Sequence, residues 1–171
     1  RFADAIPDHK AHYEKLLSQP KRLEILLGIF AGSQFLAEIL LRNPEYFERL
    51  MEHKRLAQLK SVKQLYREIS NQSGLAADQL DALRRFQRWE LLRIGACDLL
   101  DAFDLSTVTA QLSHLADGVT QACLEIAARQ AGAKQTAIPS RGFVVLAMGK
   151  LGGGELNFSS DIDIVFLYPA D

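Results

Sequence analysis

The segment GKLGGGELNFSSDID, residues 149–163, combines residue types that could bind a phosphate. Glycines allow a positive φ angle and let backbone N–H groups approach a ligand closely, and successive N–H groups can form an anion-binding concavity. Lys150 adds a mobile positive charge beside them. The residue order is neither that of a P-loop nor that of a dinucleotide-binding loop. Taken alone, Gly149, Gly152, Gly153 and Gly154 predict either a phosphate-binding loop or a flexible hairpin turn.

Two carboxylates close the segment. Asp161 and Asp163 are separated by one residue at the start of an apolar run. In a β-strand this spacing places both carboxylates on one face, about 7 Å apart, and directs Ile162 and Ile164 into the core from the other face. Such carboxylates repel each other unless a cation lies between them, and Mg²⁺ is usually held by one or two carboxylates together with substrate phosphates. The pair predicts a Mg²⁺ site; the alternative is two solvated aspartates at a strand entrance.

Two kinds of pattern surround these residues. Residues 1–135 carry apolar side chains at helical spacing, whereas 136–171 hold a turn-rich linker and two short apolar runs, FVVLAM (143–148) and IDIVFLY (162–168). The predicted fold class is α+β, in which an N-terminal helical array leads into the first strands of a sheet. Because two strands are marginal by themselves, we expect the chain to be a truncated part of a longer protein.

Proline, glycine and cap residues divide the helical region. Pro20 is expected to open a helix that Gly32-Ser33 ends, and Asn43-Pro44 reads as an N-cap followed by proline at the first helical position. The basic and polar stretch 54–73 predicts a solvated helix that ends near Gly74.

Two longer helices follow, one over 78–103 and one from Ser106, as N-cap, to Gly132. The first carries four arginines, which either meet an anionic ligand or form a solvated helix face paired with Glu90 and nearby acids: Arg84, Arg85, Arg88 and Arg93.

Composition excludes several classes of protein. The formal net charge is −1, so no overall field favours nucleic acid or an acidic membrane surface. No apolar run approaches the roughly 20 residues that span a bilayer. Cys97 and Cys123 lie far apart within helical patterns, which predicts two reduced thiols in the core of a cytoplasmic protein. A zinc site is not expected, because neither the cysteines nor the four histidines are clustered.

The spacing of the glycine and aspartate motifs resembles a known signature. Gly149-Lys150 is followed, after ten residues, by Asp161-Ile162-Asp163. This resembles the nucleotidyltransferase superfamily, in which Gly-Ser precedes Asp-x-Asp on the neighbouring strand, often with a serine before it, as Ser160 is here. Lys150 stands where most members have serine. With lysine at this position, the segment AMGKLGGGELNFSSDIDIVF (147–166) resembles the motif of one family. These are the bifunctional glutamine synthetase adenylyltransferase/adenylyl-removing enzymes.

The resemblance extends upstream through LRRFQRWELLRIGACDLL (83–100) and SQFLAEILLRNPEYFERL (33–50). It implies that residues 136–171 begin a nucleotidyltransferase catalytic domain. The family has two related halves: one attaches AMP to a tyrosine of glutamine synthetase, and the other removes it by phosphorolysis and releases ADP. Glu155 to Asp163 reads like the removing half, since the adenylylating half more often has Ser-Asp-Leu-Asp.

The resemblance also implies roles and partners. Asp161 and Asp163 would hold Mg²⁺ against the phosphates, and the glycine backbone would cradle a phosphate of ATP, ADP or orthophosphate. Lys150 would steady that phosphate or pair with Glu155. Asn157 would orient the nucleotide or form a turn, and Ser159 and Ser160 would bond phosphate oxygens or cap the strand entrance, the cap being favoured for Ser159.

Glutamine synthetase would be the protein substrate, and the small nitrogen-signalling protein PII and glutamine would act on the whole enzyme. The superfamily normally has a third carboxylate on a later strand, which this chain does not reach, so we expect the isolated chain to be inactive. The alternatives are the adenylylating half, another nucleotidyltransferase, or a non-catalytic helical interaction module.

Overall fold

A computed structural model describes residue 2 and residues 9–52, 55–74, 78–132 and 143–169. Seven helices precede the first strand within these residues: α1 (His9–Ser18), α2 (Pro20–Gly32), α3 (Gln34–Arg42), α4 (Glu45–Glu52), α5 (Val62–Gly74), α6 (Gln79–Leu99) and α7 (Leu105–Gln130). Strand β1 (Val144–Met148), a short helix α8 (Gly149–Gly152) and strand β2 (Asp163–Leu167) follow. The predicted α+β class is confirmed, with the helical array preceding the strands.

The two strands form an antiparallel sheet. Val144 pairs with Leu167 at one end of the register, and Met148 pairs with Asp163 at the other. The predicted strands therefore exist, each shorter by a residue at one or both ends. Because Met148 precedes Gly149, this register sets the first carboxylate-bearing residue of β2 beside the start of the glycine segment.

The sheet has one half-buried face and one exposed face. Val145, Ala147 and Ile164 line a cavity of about 710 Å³, together with residues of α5 and α7 such as Tyr66 and Leu124. The side chains of the opposite face are each more than two-fifths exposed: Val144, Leu146, Met148, Val165 and Leu167. Ile162, expected in the core, is 41% exposed and lies just before β2, which begins at Asp163.

The chain divides into two compact units. The first comprises the residues up to Gln58 together with Arg88–Leu105. Its core includes Leu40, Phe47 and Leu92, and Trp89 stacks edge-on against Tyr46 at a centroid distance of 5.7 Å. The unit is built from α1–α4 and the C-terminal half of α6, whose apolar residues recur at helical spacing as predicted.

Within this unit a fully buried ion pair departs from the expected solvated arginine face. Arg93 Nε donates to Glu90 Oε2 at 2.9 Å, and both side chains have no exposed surface. Arg93 Nη1 also donates to the carbonyl oxygens of Leu56 and Gln58, at 2.7 and 3.1 Å. Arg84, Arg85 and Arg88 do lie on the exposed side of α6, as predicted. Arg93 therefore fixes α6 to the 56–58 segment.

The second unit comprises Leu59–Gln87 and the residues from Ser106 onward. Leu65 and Ile69 of α5 are fully buried, so this helix is not the solvated one that its polar composition predicted, and it begins only at Val62. Helix α7 approaches α5 closely at Gly118. A Cβ placed on this glycine would lie 3.3 Å from both Leu65 Cβ and Tyr66 N. Tyr66 Oη donates to the Glu125 carboxylate at 2.7 Å across the same pair of helices.

Several helix ends differ from the sequence predictions. Pro20 opens α2 as predicted, and Ser33 accepts a hydrogen bond from Leu36 N as the N-cap of α3. Asn43, predicted as an N-cap, instead donates through its side-chain amide to Ile39 O at the end of α3, and α4 begins at Glu45. Helix α7 begins at Leu105, one residue before the predicted cap at Ser106.

The two cysteines have different environments, and neither forms a disulfide. Cys97 is fully buried, as predicted, whereas Cys123 lies on the exposed side of α7 and was wrongly assigned to the core. The predicted domain boundary near residue 135 lies outside the described residues and stays a prediction.

Candidate functional site

Gly149 joins β1 to α8 next to a carboxylate. Its φ angle is +55°, a conformation that other residues rarely adopt, and a Cβ placed on it would lie 3.3 Å from Asp163 Oδ2. Both the backbone geometry and the neighbouring carboxylate therefore favour glycine. The contact brings together the start of the glycine segment and one of the two predicted metal ligands.

Gly152 is required for a different reason. A Cβ at this position would lie 2.6 Å from Ala147 O, closer than real Cβ atoms come to a backbone oxygen. The missing side chain lets α8 fold back onto the end of β1. Leu151 is buried beside it and fixes the short helix from its apolar side.

The backbone N–H groups of the segment are not equally available. Gly153 N donates to Gly149 O at 3.2 Å, Gly154 N to Leu151 O at 3.0 Å, and Glu155 N to Lys150 O at 2.8 Å. The N–H groups at the start of a helix have no partner within it, so those of α8 are the ones that could receive an anion. Gly153 and Gly154 shape the turn with N–H groups that already donate.

Lys150 is exposed at the start of α8. Within residues 143–169 its ammonium group forms no ion pair with Glu155, although the two residues share a backbone hydrogen bond. The side chain can therefore extend toward a bound anion.

Asn157 organises the turn that leads to the aspartates. Its Oδ1 accepts hydrogen bonds from Ser160 Oγ at 2.6 Å, from Ser159 N at 3.1 Å and from Ser159 Oγ at 3.2 Å. Ser160 N also donates to Asn157 O at 3.2 Å. In this conformation the three polar side chains hold one another, and Asp161 follows directly.

The turn is anchored to helix α7. Leu156 is buried, and its N–H donates to Ser113 Oγ at 3.1 Å, while Ser113 Oγ donates to Thr109 O at 2.8 Å. Ser113 could not be singled out from the sequence, because one serine between Leu112 and Leu115 of an amphipathic helix carries no signal of a long-range contact.

Asp161 and Asp163 fit a hard cation in their chemistry. Both are exposed, and neither forms an ion pair or a side-chain hydrogen bond with another described residue. Two such carboxylates are a common protein contribution to Mg²⁺ binding, the remaining ligands being water and phosphate oxygens. Within the described residues no group of three or more His, Cys, Asp or Glu side chains is placed to hold a metal ion. Any metal here would thus have at most these two carboxylates from the described part of the chain.

Residues 23–171 match the family model of glutamate-ammonia ligase adenylyltransferase. The chain belongs to this family. The match covers most of the helical array as well as the glycine and aspartate segment, so the family assignment does not depend on the short motif alone.

Curated relatives carry the name bifunctional glutamine synthetase adenylyltransferase/adenylyl-removing enzyme. The Pasteurella multocida protein is 32% identical over 99% of the chain, and the Bradyrhizobium diazoefficiens protein is likewise 32% identical over 99%. The Chromobacterium violaceum protein is 32% identical over 93%. In each case the chain spans only 18% of the relative's length. A search of the described helices for one long and apolar enough to cross a bilayer finds none.

Proposed function

We propose that this chain supplies part of the catalytic site of an enzyme that removes AMP from a tyrosine of adenylylated glutamine synthetase by Mg²⁺-dependent phosphorolysis. The observation that carries the proposal is the position of Gly149 against the Asp163 carboxylate, which unites a candidate anion-binding turn with a candidate metal ligand. The names of the relatives, which include an adenylyl-removing activity, support the reaction class.

In the proposed reaction an oxygen of orthophosphate forms a bond to the phosphorus of the AMP group. The bond between that phosphorus and the tyrosine oxygen breaks, and the tyrosine oxygen takes a proton. The products are ADP and unmodified tyrosine. Phosphoryl-type transfer of this kind needs reactants held in line and charge neutralised more than it needs covalent participation by the protein.

The residues of the chain would divide this work. Backbone N–H groups of residues 149–151 would receive phosphate oxygens, and Lys150 would place a positive charge beside them. Asp161 and Asp163 would bind Mg²⁺, which when present neutralises charge on the phosphates. Asn157, through Ser159 and Ser160, would keep the turn before Asp161 in one conformation.

The choice of the removing half rests on the sequence from Glu155 to Asp163, which resembles that half more than the adenylylating one. PII and glutamine are proposed as regulators of the complete enzyme on the same resemblance. ADP is the nucleotide product of the proposed reaction, whereas ATP would be the substrate of the adenylylating half. A cytoplasmic location is part of the same proposal.

The test measures ADP release from adenylylated glutamine synthetase with orthophosphate and Mg²⁺. It compares the 171-residue chain with an extended protein, in which the chain continues to the length of its relatives. Asp161→Asn in the extended protein is expected to lower ADP release roughly 100-fold or more, because a bound metal ion contributes several kcal/mol to stabilising transition-state charge. Asp98→Asn is the matched control, since Asp98 is an exposed aspartate of α6 outside the site.

ADP release that is lost in Asp161→Asn and kept in Asp98→Asn would support the proposal. AMP attachment from ATP, with no ADP release, would assign the chain to the adenylylating half. Undiminished activity of Asp161→Asn would contradict the metal assignment. If a folded extended protein binds glutamine synthetase but catalyses neither reaction, the result would favour a non-catalytic interaction module.

A further inference from the structure

Ser113 connects the second unit's long helix to the candidate site through one buried hydrogen bond. The Ser113 side chain is 4% exposed, and its hydroxyl accepts from Leu156 N at 3.1 Å. The same hydroxyl donates to Thr109 O at 2.8 Å, which fixes the direction of its proton and leaves a lone pair for the Leu156 amide. Ser113 is 43 residues from Leu156 in sequence, so this contact depends on the folded unit.

Leu156 lies between the two parts of the site. On its N-terminal side are α8 and the turn through Gly154, whose amides bond within the turn. On its C-terminal side Asn157 accepts hydrogen bonds from Ser159 and Ser160, directly before Asp161. The hydrogen bond to the Leu156 amide therefore holds in place the first residue of the polar turn that leads to Asp161.

The bond is not simply a way to satisfy a helical serine. Thr109, one turn earlier on α7, donates to Ser106 O at 3.1 Å and forms no hydrogen bond with the described residues of the site segment. Serine and threonine make this local bond to a preceding carbonyl without any distant partner. What distinguishes Ser113 is that its oxygen also accepts the amide of a residue beside the site.

We propose that Ser113 is a positioning residue: by accepting the Leu156 amide it holds the turn from Leu156 to Asp161 in the conformation that places Asp161 for binding phosphate-bound metal. The inference rests on the proposed function for the reaction that this position serves. The hydrogen bond and its effect on the turn can be tested without that reaction.

The first arm uses the 171-residue chain and measures amide hydrogen exchange and ¹⁵N order parameters. Ser113→Ala is expected to speed exchange at the Leu156 amide roughly tenfold or more, since a buried donor loses its acceptor. The order parameters of Asn157 to Ser160 should fall toward the flexible range, below about 0.6. Thr109→Ala, which removes only the local helical bond, should leave both quantities unchanged.

A hydroxyl-retaining variant separates position from general destabilisation. Ser113→Thr keeps the acceptor and is expected to restore slow exchange at Leu156. If its extra methyl group is not accommodated, as judged by lost helical circular dichroism, Ser113→Cys offers a weak acceptor of similar shape. Recovery in neither folded variant would contradict the proposed role of the side-chain acceptor.

The second arm uses the extended protein and ADP release. Ser113→Ala should lower kcat about tenfold and raise the Mg²⁺ concentration needed for half-maximal rate, with little change in KM for glutamine synthetase, because only the placement of Asp161 is altered. If Ser113 were purely structural, Ser113→Ala would change neither the Mg²⁺ requirement nor kcat of a folded protein. A loosened turn with unchanged kinetics, or an unchanged turn, would overturn the proposal.

The two arms fail separately. If the unsubstituted extended protein releases no ADP, the proposed function is rejected, and exchange at Leu156 with order in the turn still decides whether Ser113 positions the segment. If ADP is released and Ser113→Ala behaves like Thr109→Ala in both arms, the proposed function stands and the positioning role is rejected.

Discussion

At the scale of single residues, the site is built on positions where a side chain would not fit. Gly149 has a φ angle of +55°, and a Cβ placed on it would lie 3.3 Å from the Asp163 carboxylate. A Cβ placed on Gly152 would lie 2.6 Å from Ala147 O. These constraints act on the backbone before any ligand binds. They give the turn one shape, which is what a site for a small anion requires.

Gly149→Ala tests this constraint. The change should lower the free energy of unfolding by about 1–2 kcal/mol, because a Cβ is strained in the left-handed region. Urea unfolding of the chain measures it. Gly28→Ala is the control: a Cβ there meets nothing within 4 Å, and alanine within helix α2 should stabilise by about 0.5–1 kcal/mol. Equal effects of the two changes would contradict the assigned strain at Gly149.

The candidate site residues could be predicted from the sequence, but the long-range contacts that position them could not. Glycines, a lysine and an Asp-x-Asp pair are local in sequence, and the apolar runs on either side of them, 143–148 and 162–168, predicted the two strands. The contact of Ser113 could not be predicted, because it joins Ser113 to Leu156 across 43 residues. The pairing of Arg93 with Glu90 was among the predictions, but its burial was not, because burial depends on packing against residues distant in sequence.

At the scale of elements, helices α5 and α7 form the support beneath the sheet. Leu65 and Ile69, four residues apart, are the fully buried apolar residues of α5. Two apolar residues among many polar ones do not produce a recognisable amphipathic pattern in the sequence. The close approach at Gly118 places Leu65 against α7. The end of α5 near Gly74 was predictable from a local glycine, but its burial depended on packing.

The bond from Tyr66 to Glu125 joins these two helices and makes their contact pH-dependent. The hydrogen bond to Glu125, with partial burial, raises the pKa of Tyr66 above 10.0. Between the unfolded and folded pKa values the folded state holds more protons, so the free energy of unfolding falls as pH rises through that range. The stabilisation is complete below about pH 10 and is lost above it.

Tyr66→Phe should therefore destabilise the chain by about 1 kcal/mol near neutral pH, and by less in alkali, where the unsubstituted chain also loses the bond. Urea unfolding at about pH 8 and about pH 11 compares the two proteins. Tyr168→Phe, at a tyrosine that is 73% exposed, controls for general alkaline effects. A destabilisation by Tyr66→Phe that stays constant with pH would contradict the coupling.

At the scale of the whole molecule, the two cysteines report on folding of different regions. Cys97 has no exposed surface, and its Sγ donates to Leu56 O at 3.5 Å; burial raises the pKa of its thiol. Cys123 is exposed on α7, although partial burial also raises its pKa. The sequence could not separate the two, since both occur within amphipathic helices.

Thiol labelling of the native chain is expected to modify Cys123 quickly and Cys97 only as the protein unfolds. An aromatic disulfide reagent, used without denaturant at mildly alkaline pH, counts the reactive thiols and their rates. Cys123→Ser isolates the slow thiol, whose rate should follow the unfolding rate as urea is added. Equally fast labelling of both cysteines would contradict the burial of Cys97.

The exposed outer face of the sheet bears on how the chain behaves at high concentration. The described part of the sheet has two strands, so each strand has an edge that can pair with a strand from another molecule. Val144, Leu146 and Val165 would give such contacts an apolar surface. Head-to-tail pairing of opposite edges grows into filaments when the successive rotations do not close into a ring. With a net charge of −1, the molecules repel one another weakly, so dilute handling away from the isoelectric pH near 6.5 favours the monomer.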